Sequence, residues 1–238
     1  MKYIYGPIKS RRLGLSLGVS LIPHKTCSFD CVYCQLGKTL NTTNERKEYL
    51  NIEEVLGELK EALRHLPSDN KLDYITFSGF GEPTLNVNIG KMIKEIRAIS
   101  QAQLALITNS ASLVEAKVRK EVLGVDLIVP SLDAVTQDTF EKIDRPAAGI
   151  RIEDVIKGLI ELRREFKGEI YLEIMFIKDI NDGLDYALRF KKVVDRINPD
   201  RLQMNIPVRS VVEKWAVSPD VQRLKQIKEI LGPKAELI

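Results

Sequence analysis

Three cysteines, Cys27, Cys31 and Cys34, stand four and three residues apart in a chain of 238 residues that has no other cysteine. Thiolates at this spacing in one loop can converge on one centre without help from distant segments. They are the ligands that soft metal ions and iron–sulfur clusters select. Disulfides fit poorly, because the count is odd and no secretory signal is visible. The odd count raises the question of a fourth ligand. A tetrahedral zinc site would recruit a histidine, and His24 is the only local candidate. A four-iron cluster on three cysteines would leave one iron open to an external ligand. A single-cluster electron carrier would want a fourth protein thiolate, which the chain does not contain. Spacing alone leaves zinc and cluster both open.

The elements that must position this loop belong to an ordinary globular chain, long enough for a sizeable core. The formal net charge of +3 is too weak to imply a nucleic-acid or membrane partner by itself. No apolar run approaches membrane-spanning length and the N-terminus lacks a secretory h-region, so the expectation is a cytoplasmic protein with reduced thiols. Gly37-Lys38-Thr39 resembles the tail of a P-loop, but the required first glycine would fall at Val32, and that reading fails.

Along the chain, Met1–Gly14 reads as a solvated N-terminal arm, and Leu17–Ile22 is short and apolar between Gly18 and Pro23, a buried strand. Asn51 and Glu54 have the spacing of a capping box, followed by Ile52, Val55, Leu56, Leu59, Leu63 and Leu66 at helical spacing. Strands are predicted at Asp73–Phe77, Leu104–Ile107, Asp126–Val129, Glu169–Ile177 and Arg201–Ile206. Helices are predicted at Ile89–Ile99, Leu113–Leu123, Ile152–Phe166 and Asp182–Val194. A last helix starts with Ser218 as cap and Pro219 at its first position, and stops before Gly232-Pro233. Such alternation argues for an α/β fold with a parallel sheet and helices outside. Six units suit either an open doubly wound sheet or a curved, incomplete barrel. With no linker or internal repeat, residues 1–238 are expected to form one domain, with an arm at 1–14 and the cysteine loop at 23–40.

Small, polar and special-backbone residues follow each strand. After the cysteines come Ser78-Gly79-Phe80-Gly81-Glu82-Pro83-Thr84, then Thr108-Asn109-Ser110, then Ser131-Leu132-Asp133. Lys178-Asp179-Ile180-Asn181-Asp182 and Asn205-Ile206-Pro207-Val208-Arg209 complete the series. Each alone is a common turn or cap. Together they line the carboxyl edge of a parallel sheet, where ligands bind. Gly79 and Gly81 let the backbone approach a ligand closely, so a side chain at Gly81 is expected to intrude on that ligand. Carbonyls of this turn and Glu82 would suit an ammonium group. The turn is not G-x-G-x-x-G, hence not a dinucleotide fingerprint.

Cys27, Cys31, Tyr33 and Cys34 satisfy C-x3-C-x-aromatic-C, and here the chain resembles the radical S-adenosylmethionine (SAM) enzymes. The resemblance implies a [4Fe–4S] cluster on the three cysteines, with SAM occupying the open iron and answering the question of the fourth ligand. It implies that Gly81-Glu82-Pro83, with Gly79, forms the turn that holds the methionyl amine, and that Tyr33 lies near the adenine. Thr108, Asn109, Ser131 and Asp133 would face the ribose and methionine portions. It further implies a parallel-stranded partial (β/α)6 barrel, reductive cleavage of SAM to a 5′-deoxyadenosyl radical, and hydrogen abstraction from a substrate. A low-potential electron donor such as flavodoxin or ferredoxin would be a partner.

A narrower likeness spans nearly the whole chain. Ser10-Arg11-Arg12-Leu13-Gly14, Cys34-Gln35-Leu36-Gly37, Ser131-Leu132-Asp133-Ala134 and Asp144-Arg145-Pro146 resemble the iron–sulfur oxidoreductases grouped with wyosine-tRNA synthesis enzymes. Those enzymes carry extra cysteines for a second cluster, and this sequence has none. The substrate is therefore left open between a small molecule, tRNA and a partner protein. By strand-end position, Lys178, Asn181, Asn205 and Arg209 are candidates for its wall. Arg11 and Arg12, with Lys25 and Arg209, are candidates for a basic patch at the mouth, holding substrate or an acidic donor.

Overall fold

The computed structural model describes residues 1–10, 12–66, 71–208 and 211–238. In chain order the strands are β1 (Ile4–Ser10), β2 (Gly14–Val19), β3 (Thr26–Cys27), β4 (Asn41–Thr42) and β5 (Tyr74–Phe77). They continue as β6 (Gln103–Thr108), β7 (Leu127–Pro130), β8 (Glu169–Met175), β9 (Arg201–Asn205) and β10 (Ala235–Leu237). The helices are α1 (Ile52–Arg64), α2 (Ile89–Ile99), α3 (Ala116–Val122), α4 (Gln137–Ile143), α5 (Ile152–Glu165), α6 (Leu184–Ile197) and α7 (Val221–Leu231).

Eight strands form one sheet in the linear order β1-β2-β5-β6-β7-β8-β9-β10. Every neighbouring pair from β2 onward is parallel. The ends of that order do not pair, so the sheet is an open, partial (β/α) barrel. Parallel strands covered on both faces read as continuous apolar runs, and all four residues of β7 are buried. The helices supply the outer cover: α1 turns Ile52, Val55, Leu56 and Leu59 inward. Each such side chain contributes about 1.5–3 kcal/mol of burial.

Several expectations change. The N-terminal arm is exposed along residues 6–9, as expected of a solvated segment, but it is a strand and not a tail: Ile4–Ser10 pairs antiparallel with β2 as far as the Ser10–Gly14 pair. Tyr3, Ile4 and Leu13 are buried, and the Tyr5 ring lies where a Cβ on Gly18 would be, 2.0 Å from that atom. Asn51 does cap α1, accepting from the Glu53 amide at 2.9 Å, but Glu54 accepts from the Tyr3 hydroxyl at 2.9 Å instead of closing a capping box. The last helix is capped by Asp220, which accepts from Arg223 N at 2.8 Å, rather than by Ser218. Residues 111–114 form a separate 3-10 turn ahead of α3. Helix α4 and strand β10 lie outside the expected six units.

Candidate functional site

The cysteine loop leaves β2 through the buried Leu21 and Ile22 and turns at Pro23. Phe29 and Val32 sit between the cysteines in sequence and are buried, so apolar anchors alternate with thiols. The segment after α4 grips this loop along its backbone. Val32 N donates to Ile143 O at 2.9 Å, Asp30 N to Asp144 O at 2.9 Å, and Ala147 N to Ser28 O at 2.8 Å. The Phe29 ring meets Phe140 edge-on, with centroids 5.2 Å apart. On the other side Thr43 N donates to Cys27 O at 2.9 Å, and Thr39 N to Asp30 Oδ1 at 2.5 Å.

The glycine turn after β5 is joined to the same loop. Gly81 forms a parallel bridge with Thr26, and Glu82 N donates to Thr26 O at 3.2 Å. A Cβ on Gly81 would fall 1.7 Å from that Thr26 carbonyl oxygen, so the glycine is required by the chain's own packing. This corrects the expectation that a side chain there would meet only a ligand. Glu82 is buried, and its carboxylate accepts from Thr84 N at 3.0 Å, Thr84 Oγ1 at 2.6 Å, Thr108 Oγ1 at 2.7 Å and Asn109 N at 2.7 Å. Burial raises its pKa while these donors oppose the rise. With its oxygens so engaged, Glu82 orients the turn and Asn109. The Asn109 amide in turn donates to Ser28 Oγ at 2.8 Å and to Cys27 Sγ at 3.5 Å.

A cleft of about 610 Å³ opens at this edge, lined by Cys27, Gly79, Gly81, Glu82, Thr108, Asn109 and Ser131. Tyr5, Arg12, Gln35, Leu36, Ser78, Phe80 and Ile107 form the rest of its wall. A cleft of equal volume at the opposite edge, beside Tyr74, Asp126 and Asp200, contains none of the cysteines and neither Gly79 nor Gly81. Burial, and then Glu82, push the Cys27 thiol up to about 12, and burial with Asp144 raises Cys31 well above the usual thiol range. A cation at these sulfurs would reverse that preference, because metal ligation displaces the thiol proton.

Behind the cysteines, the Tyr33 hydroxyl donates to Asp133 Oδ2, while Asp133 Oδ1 accepts from Met175 N at 2.7 Å. Cys31 Sγ donates to Asp144 Oδ1 at 3.3 Å, and the buried Asp133 and Asp144 carboxyls are close enough to influence each other's ionisation. Burial lifts Asp133 to about 6 and Asp144 well above the carboxylate range, the second also through Asp133 itself. Tyr33 and Asp133 thus face each other in the interior and are absent from the cleft wall.

Other expected residues are scattered. Asn181 is fully buried, donating to Asp133 O at 2.9 Å and Met175 O at 2.8 Å and accepting from Ile177 N at 2.7 Å, so it braces a loop instead of lining a substrate wall. Asn205 accepts from Ile206 N at 2.9 Å, and Lys178 is exposed beyond β8. Arg12 reaches the cleft but is ion-paired with Glu173. Lys25 is buried, which removes it from a basic patch at the mouth. Arg11 and Arg209 lie outside the described residues. His24 is exposed, with its ring edge-on to Phe80 at 5.6 Å. Among the described residues, no three His, Cys, Asp or Glu side chains converge as a site for one ion. Tyr5 reaches the cleft without any sequence signal, whereas Ser78 belongs to the strand-end turn and Gln35, Leu36 and Asp144 to the motifs quoted above, which did not specify their place in the cleft wall or on the loop.

The family model of the Radical SAM superfamily matches residues 21–190. The chain is 42% identical over 228 residues to a protein named GTPase Obg from Brachyspira hyodysenteriae, covering 96% of this chain and 33% of that protein. It thus spans about a third of that relative's length. It is 34% identical over 236 residues to UPF0026 protein MJ1312 of Methanocaldococcus jannaschii, covering 98% of this chain and 73% of the relative. A radical SAM methyltransferase from Sphaerobacter thermophilus shares the fold with a TM-score of 0.69 at 17% identity, over 94% of this chain and 65% of that one. Among the described residues, no helix is long and apolar enough to cross a membrane.

Proposed function

Because the chain belongs to the radical SAM superfamily, we propose that Cys27, Cys31 and Cys34 hold a [4Fe–4S] cluster and that the cleft beside Cys27 binds SAM. The observation that carries this reading is the bridge between Thr26 and Gly81, which ties the first thiol and the glycine turn into one wall of one cleft. The donor set fits a cluster better than zinc. A single tetrahedral ion needs all its ligands within about 2.0–2.3 Å of one point. His24 is instead turned to Phe80, and no such convergence exists among the described residues.

When bound and reduced, the cluster supplies one-electron cleavage of the SAM sulfonium to methionine and a 5′-deoxyadenosyl radical, which takes a hydrogen atom from the substrate. The protein's own contribution is orientation and exclusion of water. Gly79 and Gly81 offer an open backbone to the amino end of the cofactor. Asn109 and Ser131 line the cleft facing its ribose and carboxylate, held by Glu82 and Ser110. Tyr33 and Asp133 set the back of the cluster loop. Arg12 with Glu173, Lys178 and Asn205 form the substrate side at the same sheet edge. A low-potential donor of the flavodoxin or ferredoxin kind delivers the electron.

Anaerobic reconstitution tests the reading. The expected result is about four irons per chain, no stoichiometric zinc, and slow release of 5′-deoxyadenosine and methionine from SAM on reduction with dithionite. Stoichiometric zinc, about eight irons, or reduced protein that leaves SAM intact would overturn it.

A further inference from the structure

Lys25 is 7% exposed, and its ammonium has two hydrogen-bond acceptors: Gly37 O at 2.8 Å and Cys34 Sγ at 3.0 Å. Among the described residues it makes no ion pair with a carboxylate. A buried ammonium costs several kcal/mol unless an anion or strong acceptors compensate it. Of these two acceptors, the Cys34 sulfur is the one that can carry a negative charge. The carboxylate of Asp30, in the same loop, is engaged by Thr39 N at 2.5 Å and Arg145 at 3.9 Å and makes no ion pair with Lys25 among the described residues. Lys25 also lies outside the cleft wall, so it has no direct path to a substrate there.

We propose that Lys25 sets the reduction potential of the cluster by a charged N–H···S hydrogen bond to Cys34. This rests on the radical SAM reading. A cluster on three thiolates is net negative, and adding an electron makes it more so. Potentials of such centres follow net charge, hydrogen bonds to sulfur and solvent exposure. A buried cation held on Cys34 stabilises the reduced form more than the oxidised one, because Coulomb attraction grows with the added charge. One electron enters the cluster, Lys25 keeps its proton, and no bond at Lys25 forms or breaks. Gly37 O holds the ammonium on the sulfur.

The test uses the full chain reconstituted anaerobically as wild type, Lys25→Met and Lys25→Arg, with iron per chain measured first and the midpoint then titrated by electron paramagnetic resonance. Lys25→Met should load iron like wild type but reduce about tenfold less favourably, a midpoint about 59 mV more negative for a one-electron couple. Lys25→Arg should stay near wild type. A loaded Lys25→Met at the wild-type midpoint overturns the proposal. So does a shift as large in Lys25→Arg, or failure of Lys25→Met to take up iron, which would make Lys25 an assembly residue. Wild type that binds no iron would instead bring down the radical SAM reading itself.

Discussion

Glu82 shows how a buried carboxylate in the glycine turn acts on its neighbours. Its carboxylate collects four hydrogen bonds from Thr84, Thr108 and Asn109, and Asn109 passes the constraint to Ser28 and Cys27. Replacing Glu82 with Ala leaves those donors buried without an acceptor. Each unsatisfied group costs roughly 1–3 kcal/mol, and some recover water, so a net loss of about 3 kcal/mol is expected in urea unfolding. Iron uptake should persist, because the cysteines keep their own backbone bonds, while SAM affinity measured by equilibrium dialysis should fall at least tenfold. Unchanged SAM affinity would remove Glu82 from the binding turn. Gly81 is a less discriminating position, since any side chain strikes the cysteine loop at Thr26 O and would disturb the turn and the loop together.

At the scale of elements, the cysteine loop depends on α4 and the Asp144–Ala147 segment that follows it. Backbone hydrogen bonds to Ser28, Asp30 and Val32 run along that segment, and the Phe29–Phe140 contact seals it. Phe140→Ala should therefore cost about 3–5 kcal/mol of stability, as truncation of a buried aromatic does. It should also lower the iron retained after gel filtration, although Phe140 touches no cysteine in the hydrogen-bond network. A variant with full iron and the same loss of stability would show that α4 supports the core alone. The comparison is informative because α7, capped by Asp220 at the far end of the chain, makes no backbone hydrogen bond to the loop among the described residues. Asp220→Ala serves as the control, with about 1 kcal/mol lost and iron content unchanged.

At the scale of the whole molecule, the partial barrel has a core that does not depend on the cluster. Small metal domains unfold without their metal because the metal bonds are most of their folding energy. Here the sheet of eight strands and its helices bury residues from Tyr3 to Ala235 in one continuous cluster. Removing iron with a chelator should leave the far-UV circular dichroism in place while trypsin gains access at Lys38, an exposed residue of the loop. Loss of the helical signal on chelation would contradict this. Much of the chemistry was legible from residue order, because C-x3-C-x-aromatic-C is local and strand–helix alternation reports a parallel sheet through burial alone. Cys27, Cys31, Cys34 and the Gly81-Glu82-Pro83 turn therefore stood out before any fold was known. What residue order could not carry was partnership across distance. Charge patterning made Lys25 part of a surface patch, whereas folding buries it on Cys34. Strand-end position made Asn181 a wall residue, whereas its amide is consumed by Asp133, Met175 and Ile177 backbone groups. The arm looked solvated because its basic residues mask Tyr3 and Ile4, which only gain burial once β1 pairs with β2. Local spacing determines which atoms are available, and tertiary packing decides which of them remain free, since hydrogen bonds and burial are settled by neighbours far away in the chain.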